Sequence, residues 1–192
     1  MSQRQTKAIV IGASAGALDA LSKVLAPLPE DYPLPVLVVV HLPADKKSIL
    51  AELLHAKCRI SVKEADDKEP LAAGVVYVAP PDYHLLVEKD ETISLSNEEP
   101  ILYSRPSIDV LFESAADAFG PGLIGVVLTG ANDDGAHGLA AIRDADGRCI
   151  VQDPQDAYSP IMPLAALQAC SDARTLSLAE IAEFLKEAGG LP

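Results

Sequence analysis

The sequence predicts an α/β protein of three layers, in which a doubly wound, mainly parallel sheet lies between helices. Two short apolar runs, residues 8–11 and 36–40, are typical of strands buried on both faces. Between them, apolar residues recur at positions 18, 21, 24 and 25, a helical spacing that ends before Pro27 and Pro29. A strand, a helix and a second buried strand in this order form a right-handed crossover unit with parallel strands.

The rest of the chain continues this alternation. Short strands are predicted over residues 75–79, 84–87 and 92–95, and the turns that join them indicate a small antiparallel excursion around residues 75–96. The remaining predicted strands are residues 59–63, 123–128, 148–152 and 174–176. The remaining predicted helices are residues 48–55, 107–118, 136–145 and 163–169, with a last helix to about residue 188. Neither a repeat nor a linker interrupts the pattern, so we expect a single domain over residues 1–192.

Charge and cysteine content exclude several classes of function. A formal net charge of −13 argues against nucleic-acid binding, which needs clustered Lys and Arg, and against binding to anionic membrane surfaces. The three cysteines form no CxxC pair, so we predict idle thiols in a reducing compartment and no metal site. The run at residues 8–11 is too short for a signal sequence, and no run could span a membrane. We therefore expect a cytoplasmic protein without membrane insertion.

The first predicted strand ends in a turn of small residues, Gly12-Ala13-Ser14-Ala15-Gly16. In open parallel sheets, ligands and reacting groups collect at the carboxyl ends of the strands. The turn matches G-x-S-x-G, in which small neighbours allow a sharp strand-to-helix turn that exposes the serine hydroxyl. The helix behind it directs free backbone N–H groups toward the same place. The pattern makes Ser14 a candidate nucleophile.

A phosphate-binding turn is the alternative interpretation. A G-x-G-x-x-G fingerprint that starts at Gly12 needs a glycine where Ser14 stands, and Ala17 replaces its last glycine. The fingerprint also needs an acidic residue at the end of the second strand, where the chain has His41. A P-loop fails because no Gly-Lys-Ser/Thr follows the turn. Dinucleotide binding is therefore the less favoured hypothesis.

A serine nucleophile needs a base, and histidine is the natural one near neutral pH. His41 directly follows the second buried strand, so it is the first of four candidates. His137, at the start of a predicted helix, is a weaker alternative base. We expect His55 to be solvated on its helix, and His84 to be structural, with a position at the rim of the site as its other interpretation.

A carboxylate is needed to orient the imidazole, and two candidates follow the strand at residues 123–128. Asp133 and Asp134 are adjacent, so they point in different directions. Asp134 directly precedes Gly135 and a predicted helix, and capping that helix is the alternative role of its carboxylate. The residues alone leave the choice of carboxylate open.

Together these motifs resemble the catalytic domain of the protein-glutamate methylesterases of bacterial chemotaxis, over nearly the whole chain. The matching segments are residues 11–16 (IGASAG), 41–43 (HLP), 75–80 (VVYVAP), 105–112 (RPSIDVLF), 128–130 (LTG), 134–138 (DGAHG), 152–154 (QDP) and 162–163 (MP). Each segment is unspecific by itself, and their order and spacing carry the resemblance.

The resemblance implies a triad of Ser14, His41 and Asp134. It implies a hydrolase that cleaves γ-glutamyl methyl esters on a methylated chemoreceptor or a similar signalling protein, with glutamate and methanol as products. Some members of the family also deamidate glutamine. The resemblance implies neither a metal nor a cofactor.

The resemblance also indicates which groups would contact the oxyanion and the substrate. Backbone N–H groups of the turn that contains Gly130, Ala131 and Asn132 would stabilise the oxyanion, with that of His41 as a further donor. The candidates for substrate contact are Ala15, Gly16 and Arg105, together with Lys46 and Lys47. Anchoring of its own loop is the alternative role of Arg105, and ordinary solvated surface is that of the two lysines.

Three departures from the family pattern favour a second hypothesis. Ala131 and Asn132 stand where the family usually has Met-Gly, and Ala17 stands where a second glycine is common. No receiver domain precedes the first predicted strand, so we expect a free-standing domain or an excised fragment. A catalytically weak, methylesterase-like binding module is therefore the alternative function.

Overall fold

In the computed structural model, which describes residues 5–41, 49–101 and 103–191, seven parallel strands form a central sheet. These strands are β1 (Ala8–Ala13), β2 (Val36–Val40), β3 (Ser61–Glu64), β4 (Val75–Val78), β7 (Leu123–Val127), β8 (Arg148–Gln152) and β9 (Arg174–Leu176). Two further strands, β5 (His84–Val87) and β6 (Ile93–Ser96), form a separate antiparallel hairpin. The order across the sheet is β3-β4-β2-β1-β7-β8-β9.

Helices cover both faces of this sheet. The helices on one face are α1 (Ala17–Leu25), α2 (Leu50–His55) and α6 (Leu178–Ala188), and those on the other are α3 (Ile108–Phe119), α4 (Ala136–Asp144) and α5 (Ile161–Ala169). Side chains of β1 alternate between the two cores, since Ile9 and Ile11 pack in the first and Ala8 and Val10 in the second. The predicted three-layer α/β class is confirmed.

The winding of the chain changes direction at β1. β2 pairs with one side of β1 and β7 with the other, so Gly12 lies between Val39 and Val127. At such a point the connections leave toward opposite faces of the sheet, and a crevice opens at the carboxyl ends of the strands. Ser14, His41 and the loop after β7 come from these three strand ends. The topology therefore brings the predicted site together.

The antiparallel excursion is shorter than the sequence predicted. β4 pairs in parallel with both β2 and β3, so the hairpin consists of β5 and β6 alone. Burial explains the difference, because Val76 and Val78 pack in one core and Tyr77 in the other. A strand that is buried on both faces belongs in the parallel sheet.

Some expectations fall on residues that the structure does not describe. Lys46 and Lys47, the two lysines considered for substrate contact, lie outside the described residues. The predicted start of a helix at residue 48 does so too, and α2 is described from Leu50. Among the described residues, no helix has the length and apolar content needed to cross a bilayer.

Candidate active site

Ser14 lies directly after β1, in a turn that a neighbouring strand end holds in place. Its N–H donates to the carbonyl of Thr129 (2.9 Å), after β7. Gly16 has a φ of 83°, and a Cβ atom there would lie 2.8 Å from Cβ of Tyr158. Glycine is therefore needed for the sharp turn into α1. The Ser14 side chain is half-buried, and its hydroxyl makes no hydrogen bond within the described part of the chain.

Thr129 braces this turn against two other segments. Its hydroxyl donates to the carbonyl of Ala15 (2.8 Å) and accepts from the N–H of Ser159 (2.9 Å). Its own N–H donates to Oε1 of Gln152 (2.8 Å), a buried side chain. Neither Thr129 nor Gln152 was predicted as part of the site, although both lie in segments that carried the family resemblance.

His41 and Asp134 form a hydrogen-bonded pair at the centre of the site. Nε2 of His41 lies 2.7 Å from Oδ2 of Asp134, whose side chain is 0 % exposed. An ionised carboxylate only accepts, so Nε2 carries the proton and Nδ1 is left as the basic nitrogen. Burial alone would raise the pKa of Asp134, but hydrogen bonds from His41 and from the N–H groups of Asp109 and Ile108 outweigh it. Together they hold this pKa below its usual value.

The Asp134 carboxylate also caps a helix, but not the helix that follows it. Oδ1 accepts from the Ser107 hydroxyl (3.0 Å) and the Asp109 N–H (3.0 Å), and Oδ2 accepts from the Ile108 N–H (2.7 Å). These donors belong to the start of α3, so capping of the following helix, the alternative suggested by the sequence, is corrected. With His41 included, each oxygen of Asp134 has two donors, which fixes the plane of the carboxylate. The neighbouring Asp133 is exposed.

The helix after Asp134 is capped by Asp109 instead. Oδ1 of Asp109 accepts from the N–H groups of Gly135 (2.9 Å) and Gly138 (2.7 Å), at the start of α4. The starts of α3 and α4 therefore cap each other. Burial, assisted by the charge of Asp134, raises the pKa of Asp109 to about 6, although the two N–H donors oppose the shift. Asp109 lies in the matching segment 105–112, and its contacts with the start of α4 were not predicted from the sequence.

Asn132 reaches the site through its side chain. Oδ1 accepts from the N–H of Asp134 (3.2 Å), which closes a small turn within the loop. This bond turns Nδ2 toward His41, where it lies 3.2 Å from Nδ1. The sequence pointed to the backbone of Asn132, and the contact with the imidazole was not predicted.

Fewer backbone N–H groups are available to an oxyanion than the sequence suggested. The N–H of Gly130 donates to a carbonyl in the loop before α5 (3.1 Å), and the N–H of His41 points at a carbonyl of β1 (3.4 Å). Both are therefore corrected as oxyanion donors. Within the described residues, the N–H groups of Ala15, Ala131 and Asn132 have no acceptor. Ala15 directly follows the serine, the position that supplies one donor at turns of this kind.

Arg105 anchors its own loop. Its Nε and Nη2 both donate to Oδ1 of Asp82 (3.0 and 2.6 Å), and its Nη1 donates to the carbonyls of Asn97 (2.9 Å) and Glu98 (3.0 Å). These bonds use four of the five N–H donors of the guanidinium, so they favour anchoring of the loop, the alternative role of Arg105, over substrate contact. The anchored loop leads into Ser107, so Arg105 supports the site indirectly.

A second serine and histidine lie near Asp134 without forming a nucleophilic site. Nδ1 of His84 accepts the backbone N–H of Ser107 (3.1 Å), and Nε2 donates to the carbonyl of Glu99 (3.1 Å). The Ser107 hydroxyl donates to Asp134 and is fully buried. A hydroxyl that is inaccessible and bonded to a carboxylate instead of an imidazole has no general base. His84 is structural, as the sequence suggested.

The other two histidines occupy exposed positions. His137 lies in the first turn of α4, and His55 ends α2, where its Nδ1 accepts the N–H of Val62 (3.2 Å). His41 is therefore the histidine that the fold brings to Asp134. The residues that the structure describes contain no group of three or more His, Cys, Asp or Glu side chains arranged to hold a metal ion.

A family model described as CheB methylesterase matches residues 9–185 of the chain. The chain belongs to the CheB methylesterase family. A known structure agrees with this assignment, the crystal structure of the Thermotoga maritima CheB methylesterase catalytic domain. It matches with a TM-score of 0.89 at 31% identity, over 95% of this chain and 98% of that one.

Two relatives extend the comparison. A Leptospira interrogans protein is 48% identical over 178 residues, which are 93% of this chain and 92% of the relative. A Chromohalobacter salexigens protein is 41% identical over 186 residues, which are 95% of this chain and 52% of the relative. The Chromohalobacter protein is described as "Protein-glutamate methylesterase/protein-glutamine glutaminase", and the Leptospira protein as "Putative protein-glutamate methylesterase/protein-glutamine glutaminase". The resemblance predicted from the sequence is confirmed, and with it the class of enzyme.

Proposed function

We propose that the chain hydrolyses γ-glutamyl methyl esters on a methylated chemoreceptor or a similar signalling protein. In this proposal Ser14 is the nucleophile, His41 the general base and Asp134 the carboxylate that orients the base. The observation that carries it is the 2.7 Å hydrogen bond from His41 to the buried Asp134, at the strand end beside Ser14. The substrate class comes from the names of the relatives.

The first half of the reaction acylates the serine. The Ser14 hydroxyl gives its proton to Nδ1 of His41 while its oxygen attacks the ester carbonyl. The imidazolium keeps its Nε2–H on Asp134, whose negative charge stabilises it. The N–H groups of Ala15 and Ala131 donate to the oxyanion, and each such donor is typically worth about 10²–10³ in rate.

Collapse of the tetrahedral intermediate completes the acylation, and hydrolysis then restores the enzyme. His41 returns the proton from Nδ1 to the departing methoxide, methanol leaves, and a glutamyl ester remains on Ser14. A water then attacks this ester and gives its proton to Nδ1 of His41, which passes it to the Ser14 oxygen as glutamate leaves, so the serine hydroxyl is restored. With ammonia in place of methanol as the leaving group, the same steps convert glutamine to glutamate. One site thus serves both activities in the relatives' description.

Release of methanol from a methyl-esterified chemoreceptor fragment tests the proposal. We expect Ser14→Ala and His41→Ala each to lower kcat/KM by about 10⁴-fold or more, because each removes a group that takes part in proton transfer. Ser61→Ala and His137→Ala are matched controls at exposed positions, and we expect them to keep the full rate.

Two outcomes would contradict the proposal in different ways. If the Ser14→Ala variant retained a substantial rate, Ser14 would not be the nucleophile. If the folded parent chain released no methanol and a serine-directed phosphonate failed to label Ser14, the inactive binding module would be the better interpretation.

A further inference from the structure

The Asn132 amide occupies the one nitrogen of His41 that the proposed reaction needs. Nε2 of His41 is committed to Asp134 at 2.7 Å, and Nδ1 lies 3.2 Å from Nδ2 of Asn132. Both ring nitrogens are therefore engaged, while the Ser14 hydroxyl makes no hydrogen bond within the described residues.

The direction of the contact follows from the surrounding bonds. Oδ1 of Asn132 accepts the N–H of Asp134, so the amide presents its NH₂ group to the ring. Because the proton of the neutral imidazole lies on Nε2, toward Asp134, Nδ1 can only accept. Asn132 therefore donates to the unprotonated nitrogen of His41.

This nitrogen cannot serve Asn132 and Ser14 together. An unprotonated Nδ1 has a single lone pair in the plane of the ring, which accepts one well-aligned donor. Once Nδ1 has taken the serine proton it becomes a donor itself, and the NH₂ group of Asn132 would then face another N–H. Asn132 must leave before the proton moves.

From these contacts we propose that Asn132 is a positioning residue that holds Nδ1 of His41 in the resting site and yields it to Ser14 in the reaction. The inference rests on the proposed function, since it takes Ser14 and His41 as nucleophile and base. The bond fixes the ring between Asp134 and Asn132. It also restrains the free enzyme, because it is present before the reaction and absent at the transition state.

Removing the donor is therefore expected to increase the rate. A net hydrogen bond of ordinary strength that breaks on the way to the transition state lowers kcat/KM by roughly two- to tenfold. We expect Asn132→Ala to raise kcat/KM for ester hydrolysis by that factor. The labelling of Ser14 by a serine-directed phosphonate should accelerate to a similar degree.

A second variant removes the contact with His41 but keeps the turn within the loop. In Asn132→Ser, the shorter hydroxyl can still accept the N–H of Asp134, as serine does in comparable turns, but it does not reach Nδ1. We expect it to behave as Asn132→Ala does. Asn97→Ala is the matched control, since Asn97 is exposed and its side chain makes no hydrogen bond within the described residues.

A readout that does not depend on catalysis tests the contact itself. The ¹⁵N signal of Nδ1 of His41 should move, in both Asn132 variants, toward that of an imidazole nitrogen without a donor. If Ser14→Ala kept its activity while this signal moved, the proposed function would fail and the contact would stand.

Three results would overturn the inference. The first is a loss of tenfold or more in kcat/KM in both variants, which would make Asn132 a donor at the transition state. The second is an unchanged Nδ1 signal. The third is an Nδ1 signal that moves without a change in kcat/KM, because breaking the bond between Asn132 and His41 would then not slow the reaction.

Discussion

Asp134 and Asp109 are two buried carboxylates in one helix junction, and their pKa values move in opposite directions. Each lies near the start of one helix and accepts N–H groups from the start of the other. The pKa of Asp134 is held below its usual value, whereas that of Asp109 is raised to about 6. Burial alone therefore does not determine in which direction the pKa of a carboxylate moves.

The difference lies in the donors. Both oxygens of Asp134 accept two hydrogen bonds, and one donor is an imidazole that can carry positive charge. The two hydrogen bonds that the Asp109 carboxylate accepts end on a single oxygen and come from uncharged backbone N–H groups, so the effect of burial on the pKa prevails. The junction thus favours ionisation of the carboxylate that contacts the base.

The largest effect is expected from Asp134→Asn. An amide can accept at only one of its two ends, so its NH₂ group would face two donors at the start of α3, or one of them together with the imidazole. The imidazolium would also lose its compensating charge. We expect kcat for methanol release to fall by about 10⁴-fold. Asp133→Asn, at the exposed neighbouring position, is the control. Retention of a tenth of the rate by Asp134→Asn would show that the ionised carboxylate is not required.

Gly138→Ala tests the close approach of the two helices. A Cβ atom at this position would lie 2.5 Å from Cβ of Phe112 and 3.0 Å from Cα of Asp109, in α3. The helices would have to separate, which weakens both caps. We expect thermal or denaturant unfolding to show a loss of about 3 kcal/mol in the free energy of unfolding, and kcat to fall with it. His137→Ala, in the same turn, should change neither. If the free energy of unfolding were unchanged, α3 and α4 could separate at this point without a loss of stability.

The apolar pattern of the sequence was sufficient to predict the layers and the strand ends that carry Ser14 and His41. It could not choose Asp134 over Asp133, because the direction of each side chain depends on the backbone of the loop. The apolar pattern could not predict the contacts of Asp109 either. The N–H groups that Asp109 accepts from are 26 and 29 residues away, and they become its partners only when α3 and α4 pack together.

Local turn geometry explains the remaining gap between sequence and site. Asn132 points at His41 because its Oδ1 is held by the N–H two residues on. The N–H of Gly130 is not available to the oxyanion because it donates to a carbonyl in the loop before α5. The spacing of apolar residues does not predict hydrogen bonds of this kind. The contacts that support the proposed triad were therefore less predictable than the strand ends that carry it.

Asp109→Asn isolates the charge at the second carboxylate. An asparagine Oδ1 can keep both hydrogen bonds, since both end on one oxygen of Asp109. With a folded pKa of about 6 and an ordinary value of 3.8, native Asp109 binds more protons than the unfolded chain does between these values. The free energy of unfolding of the parent protein should therefore fall as pH rises from 4 to 6.

In the Asp109→Asn variant this fall should disappear. From pH 4.5 to pH 8, we expect the free energy of unfolding of the variant to rise by on the order of 2 kcal/mol relative to that of the parent. Denaturant unfolding at each pH measures it. Asp146→Asn, at an exposed turn, serves as the comparison. If the variant gained the same free energy of unfolding at both pH values, the charge of buried Asp109 would not be what destabilises the parent.

Ser107→Ala should have the smallest effect of these variants. The change removes one of four donors from the Asp134 carboxylate, the 3.0 Å bond from the Ser107 hydroxyl, and leaves the bond from His41 in place. We expect a loss of about 1 kcal/mol in stability and a reduction of kcat by less than about tenfold. Ser14→Ala, assayed beside it for methanol release, should be inactive. If Ser107→Ala were the inactive variant instead, the nucleophile would lie in the buried set of Ser107, His84 and Asp134, and the catalytic assignment would have to move there.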